Sequence, residues 1–193
     1  MKHTSSFLSL AAVACLSALP AAAQDWSGFY GGAALSSVSG NWQHMDTPSG
    51  PITNFGDYSS AGMVSLFAGY NVQSGNLVYG GEFSAGRASD LCFEDYPGEC
   101  ADKFMDLKGR LGYAFGQALV YGVAGLTQLE YDYAPPAYTL TGVNYGLGVD
   151  YRVSDSYFVG GEILHRNTES DEFQGDVTEH SFTSVSLRFG MQF

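Results

Sequence analysis

Positive charge is scarce in this 193-residue chain: eight lysines and arginines stand against 20 aspartates and glutamates, a formal net charge of −12. Such a balance repels phosphate backbones and sets nucleic acid aside as a partner class. Cysteine is scarcer still, with three in the whole chain. That is too few for a disulfide-dense scaffold or a four-thiolate metal site. Long apolar runs are also missing, since no stretch after the N-terminal segment approaches the ~20 residues that a membrane-spanning helix needs. The absence argues against helical spans but says nothing against a barrel, whose alternating strands average out in hydropathy.

The chain opens on Met1-Lys2-His3, an apolar stretch from Phe7 to Leu19, and Pro20-Ala21-Ala22-Ala23. This is the layout of a secretory signal with a small-residue cleavage site. The apolar part is about 13 residues, short for a membrane anchor. A lipoprotein signal ending at Cys15 is disfavoured because Ala12-Val13-Ala14 lacks the leucine such signals usually carry. Cleavage is expected after Ala23, with residues 24–193 forming one domain. Export then leaves Cys92 and Cys100 as a pair in an oxidising compartment, and they are expected to form a loop disulfide worth roughly 2–3 kcal/mol. No metal and no cofactor is implied by this pair or its surroundings.

What the chain has in quantity is glycine, 25 residues, and aromatic side chains, 15% of the total. A unit recurs along it: an alternating strand ending in tyrosine, a short turn, and a second alternating strand rich in glycine. The clearest copies run from Leu66 to Phe83, Leu111 to Leu126 and Leu147 to Ile163. Their turns fall at Asn71–Asn76, Phe115–Ala118 and Ser154–Ser156. Strands near Phe29 to Ser39 and from Ser181 to Phe193 bring the count to eight. Longer polar stretches near Gly40–Tyr58, Ala88–Lys103, Tyr133–Tyr138 and Asn167–Glu179 alternate with the short turns. In an up-and-down barrel this places every long connection at one end, the asymmetry of outer-membrane barrels. The fold class expected is all-β, an eight-stranded antiparallel up-and-down transmembrane barrel.

One face of the strands is apolar. Val185, Leu187, Phe189, Met191 and Phe193 oppose Ser184, Ser186, Arg188, Gly190 and Gln192, and similar splits run through Val143–Arg152 and Met105–Tyr113. The opposite face is glycine and serine punctuated by charges, a composition suited to the filled interior of a narrow barrel. Glu82, Asp106, Lys108, Arg110, Asp150, Arg152, Glu162 and Arg188 are expected to form an internal ion-pair network, because buried charges must be paired. Eight strands enclose only enough space for side chains, which excludes a pore for large solutes and leaves a small ion leak open.

Trp26-Ser27-Gly28-Phe29-Tyr30-Gly31-Gly32, Gly69-Tyr70-Asn71, Tyr79-Gly80-Gly81-Glu82, Gly109-Arg110-Leu111-Gly112-Tyr113 and Arg188-Phe189-Gly190-Met191-Gln192-Phe193 together resemble the small outer-membrane barrels of proteobacteria. This is the opacity and surface-antigen family related to the barrel of OmpA. The resemblance spans the mature chain and rests on the order and spacing of these segments. It implies outward-facing loops, insertion by the outer-membrane assembly machinery reading the terminal Phe193, and residence among outer-membrane lipid and lipopolysaccharide. Two departures stand out: Phe67 and Leu164 fall on the polar face, so part of the interior is expected to be apolar. The chain stops at Phe193, without the peptidoglycan-binding domain of OmpA, so anchoring to the cell wall is not expected.

Enzymes occur among small outer-membrane barrels, and His165, His180 and Ser181 are the side chains here that such chemistry would draw on. They sit in no motif of those enzymes, and no catalytic role is expected. A secreted lipocalin-like binder would need the apolar face inward and a Gly-x-Trp opening that the first strand lacks. The expected role is that of a structural barrel displaying four loops. Two of these, carrying Asp90, Glu94, Asp95, Glu99 and Asp102, and Glu169, Asp171, Glu172, Asp176 and Glu179, are acidic, a charge that keeps long loops solvated and, in the alternative reading, attracts divalent cations or a basic surface partner.

Overall fold

Strict period-two alternation in successive segments dictates strands with one face unlike the other, and the structure forms eight of them. They are β1 (Gly28–Met45), β2 (Ile52–Ser74), β3 (Leu77–Cys92), β4 (Cys100–Phe115), β5 (Ala118–Asp132), β6 (Tyr138–Arg152), β7 (Tyr157–Glu169) and β8 (Val177–Gln192). This is a computed structural model that describes residues 24–46, 50–92, 100–132, 138–169 and 177–193. The expected signal segment lies outside them. Each strand pairs antiparallel with its sequence neighbour, and β1 pairs with β8 from Tyr30↔Gln192 to Met45↔Val177, closing the barrel. Closure removes both sheet edges, which a sheet in lipid requires.

The connections at one end are tight. Gly75 and Gly116 open the turns Gly75–Asn76 and Gly116–Gln117 with φ of 62° and 60°, the positive values that primed hairpin turns demand at this position. The third turn lies between Arg152 and Tyr157, where Val153 N and Ser154 N donate to Tyr157 O. Phe193 lies at the same end, its N–H donating to Phe29 O at 2.9 Å.

At the other end the strands run further than the sequence suggests. The stretch expected as a long loop from Gly40 to Tyr58 is mostly a continued hairpin, paired as far as Met45↔Ile52. The stretch from Ala88 to Lys103 likewise stays paired to Cys92↔Cys100, and β7 and β8 pair to Glu169↔Glu179. Apolar alternation fades where a strand leaves lipid, but its backbone groups still need partners, so the ladder carries on. Register shifts fall between Val38 and Gly40 on β1 and between Arg87 and Leu91 on β3. The Cys92–Cys100 disulfide joins two directly opposed residues at the rim of β3 and β4.

The apolar face points outward, which rules out the lipocalin-like arrangement. Leu35, Leu66, Leu107, Leu126, Leu147 and Leu187 are among many large apolar side chains left uncovered by protein. Near the short turns the outer surface turns aromatic: Phe29 packs on Tyr70 at 4.8 Å between ring centroids, Tyr113 on Phe115 at 4.6 Å, and Tyr157 stacks on Phe189 at 5.8 Å. This is the girdle expected where a barrel crosses from hydrocarbon to headgroups.

Candidate functional site

The interior is filled in three tiers. Toward the short turns, Trp26, Tyr30, Phe67, Leu119, Tyr121 and Phe158 belong to one apolar cluster. Toward the long connections, Val38, Tyr58, Leu91, Phe104, Leu129 and Phe182 belong to another. Phe67 and Leu164, the two departures expected to make part of the interior apolar, both lie in the first cluster. Between the clusters sits a layer of charge.

Glu82 is its hub. Its Oε1 accepts from Lys108 Nζ at 2.7 Å and Arg188 Nη1 at 3.0 Å. Its Oε2 accepts from Arg188 Nη2 at 2.6 Å, Tyr30 Oη at 2.9 Å and Arg110 Nη1 at 3.4 Å. Glu162 takes Lys108 at 2.8 Å and Arg188 at 3.2 Å, and Asp150 takes Arg110 at 2.6 Å. The rings of Tyr121 and Phe67 cover Arg110 at 3.7 Å and Arg188 at 4.0 Å, within cation–π range. Three carboxylates and three cations, all buried, therefore neutralise one another.

A second pair lies one step toward the long connections. Arg166 grips Asp106 through Nε at 3.0 Å and Nη2 at 2.8 Å, a bidentate fork that fixes orientation as well as charge. Thr127, Asn144 and Ser84 complete the hydrogen bonds to the carboxylate. A cavity of about 20 Å³, lined by residues including Ser65, Ser84, Asp106, Lys108 and Glu162, separates this pair from the hub. It has room for about one water molecule.

The expected network thus needs two corrections. Arg152 stands apart from it, at the short-turn mouth, where it donates to the carbonyls of Asp25 and Asp155 at 2.6 Å each and to the Gln192 side chain, with its guanidinium 4.6 Å from the Trp26 ring. Arg152 ends β6 one inward position beyond Asp150, too close to the mouth to reach the hub. Arg166, absent from the expected network and next to the polar stretch Asn167–Glu179, is buried beside Asp106. Its signal was parity: Glu162, Leu164, Arg166 and Thr168 share one face of β7, and all four are buried.

Of the side chains considered for catalysis, His165 and Ser181 line one outer groove together with Asp57 and Thr183, while His180 faces the interior. His180 points inward to Tyr58 Oη at 2.7 Å, whereas Ser181 is on the outer face with Asn167 Oδ1 at 2.9 Å. His165 meets Thr183 Oγ1 at 2.9 Å. Successive strand residues face opposite ways, so His180 and Ser181 cannot act on one substrate. Of the acidic loop residues, Glu94, Asp95, Glu99, Asp171, Glu172 and Asp176 lie outside the described residues.

Comparison with known proteins agrees with this architecture. The family described as outer membrane protein beta-barrel domain matches residues 8–193. A 22 kDa outer membrane protein of Rhizobium leguminosarum bv. viciae is 30% identical over 184 residues, covering 89% of this chain and 80% of that protein. Among solved structures, Neisserial surface protein A superposes with a TM-score of 0.55 at 15% identity, covering 86% of this chain and 98% of that one. A closed eight-stranded barrel with a lipid-facing apolar belt, matched end to end by the family, makes this chain a member of the outer-membrane β-barrel proteins, resident in the outer membrane.

Proposed function

We propose that the protein is a non-catalytic outer-membrane scaffold, which holds its extended outer hairpins at the cell surface and contributes to the integrity of the membrane or to surface contacts. The observation that carries this reading is the filled lumen. Two apolar tiers enclose a neutralised charge layer, and the cavity among the buried charges of the described residues holds about 20 Å³, too small for a solute path. What remains for the fold to offer is its outer rim and its lipid-facing wall. Delivery to the membrane through the assembly machinery, with Phe193 as the signal, belongs to the same proposal.

Purified protein in planar lipid bilayers is expected to give no defined conductance steps. Cells lacking it are expected to become more sensitive to chelator and to bulky antibiotics that an intact outer membrane excludes. Reproducible single-channel steps, or an altered lipid A pattern on overexpression, would overturn the scaffold reading.

A further inference from the structure

The mature chain holds seven lysines and arginines, and most are turned inward. Lys108, Arg110, Arg166 and Arg188 are in the charge layers and Arg152 is at the short-turn mouth. The remaining two, Arg87 and Lys103, face outward and are direct cross-strand partners on β3 and β4. Their side chains are 66% and 46% exposed. An acidic protein has thus placed all of its outward-directed fixed positive charge at a single point on its wall.

That point tops an ordered surface. The register places Phe83, Leu107, Leu126 and Val143 side by side across β3 to β6 as one row of outward apolar residues. The next outward row toward the long connections is Ala85, Met105, Gln128 and Thr141, and the next is Arg87, Lys103, Glu130 and Thr139. Rows on one face are about 7 Å apart along a strand, so the apolar and cationic rows are separated by roughly 14 Å. A groove of about 530 Å³ runs between the side chains of the first two rows, with Phe83, Met105, Leu126, Gln128 and Thr141 among its walls. On the far side of the barrel, the corresponding wall of β8, β1 and β2 carries Thr183, Ser39 and Ser60 and no lysine or arginine.

We propose that this wall of β3–β6 binds a phosphorylated, acylated lipid of the outer leaflet. An acyl chain lies in the groove over the Phe83 row, the ester or amide linkage meets Gln128 and Thr141, and a phosphate sits between Arg87 and Lys103. The sequence of chemistries along the wall, apolar then amide and hydroxyl then cationic, matches that of such a lipid read from tail to headgroup. Both cations already touch a carboxylate, Arg87 Nε with Asp102 at 3.1 Å and Lys103 with Glu130 at 2.5 Å. Exposed pairs of this kind are weak, and the Asp102 contact engages Nε, leaving the paired Nη donors of Arg87 to meet phosphate, which guanidinium grips by two parallel hydrogen bonds. The inference needs only residence in the outer membrane and is independent of the scaffold role.

The test is retention of bisphosphorylated hexa-acyl lipid A by the full-length mature protein in detergent micelles, read by native mass spectrometry. The wild type is expected to keep one lipid. Arg87→Gln with Lys103→Gln should lower retention about ten-fold, as should Thr141→Phe, which fills the groove. Glu130→Gln should raise it by releasing Lys103 from competition. Heat-modifiable migration on a gel verifies that each variant is folded. Equal retention by the double variant, or equal binding of the same lipid stripped of its phosphates, overturns the proposal. So does a protein dimer that persists in lipid-free micelles and is broken by Thr141→Phe, which would make the wall a self-interface.

Discussion

Replacing Glu82 by glutamine removes a single charge from the point where Lys108, Arg110 and Arg188 converge, and it barely changes side-chain volume. The wild-type layer balances Glu82, Asp150 and Glu162 against those three cations, so E82Q leaves one buried positive charge uncompensated. At an effective dielectric near 20, each lost pair forfeits up to about 4 kcal/mol. The desolvation of Glu82 that is no longer required gives back several kcal/mol, and the net loss on breaking a buried pair from one side is about 3–5 kcal/mol. Removing both members of a pair should behave differently: Asp106→Leu with Arg166→Met is expected to lie within about 1–2 kcal/mol of wild type, because no charge is stranded. The assay is denaturant unfolding of protein refolded into vesicles, followed by fluorescence of Trp26 in the inner apolar cluster and Trp42 against the outer one. If E82Q cost less than about 1 kcal/mol, or less than the double variant, the charge layer would not be a mutually compensating unit.

Deleting Phe193, which closes the chain beside Phe29 at the aromatic girdle, is expected to lower the amount of protein recovered in the outer-membrane fraction at normal expression; unchanged recovery refutes its role as the assembly signal. Cys92 and Cys100 should be found as one linked peptide in non-reducing mass spectrometry of protein from cells, and Cys92→Ser with Cys100→Ser should cost no more than roughly 2–3 kcal/mol and leave heat-modifiable migration intact. Gly148→Val should destabilise by about 1–3 kcal/mol, because a Cβ there would run into the Tyr121 ring that covers Arg110; the same unfolding assay reads it, and a neutral result would mean the ring has room to move.

Much of this barrel is legible as a repeat of alternating segments, since period two survives wherever lipid lies on one side and glycine, serine or charge on the other. The face of each strand could be assigned from β8 and β6, where the two compositions differ most. The inner apolar clusters were largely hidden for the converse reason. Phe104 next to Met105, Leu119 next to Val120 and Phe158 next to Val159 put apolar residues on both faces in succession, and the alternation that reports a strand's orientation disappears. Phe67 and Leu164 were visible only because their neighbours kept the pattern. Most of the charge layer could be read from parity alone, but depth could not: Arg152 shares the parity of Asp150 and lies too near the mouth, while Arg166 continues the parity of Glu162 into a stretch that looks like loop. The long outer pairings left no sequence trace, because hydrogen-bonded backbone in water places little demand on side-chain type.

The charge layer draws on every strand: Tyr30 from β1, Phe67 from β2, Glu82 from β3, Lys108 and Arg110 from β4, Tyr121 from β5, Asp150 from β6, Glu162 from β7 and Arg188 from β8. Glu82 and Arg188 come together only when the first and last strands have met. Until that seam forms, neighbours such as Glu82 with Lys108 and Glu162 with Arg188 can meet within the open sheet, but Glu82 lacks Arg188 and the layer is open to water, so a half-curled sheet carrying these ions into hydrocarbon faces a desolvation cost that its remaining pairs only partly offset. The polar interior therefore works as a gatekeeper of assembly: it holds an open sheet at the water's edge and makes ring closure and membrane entry a single event.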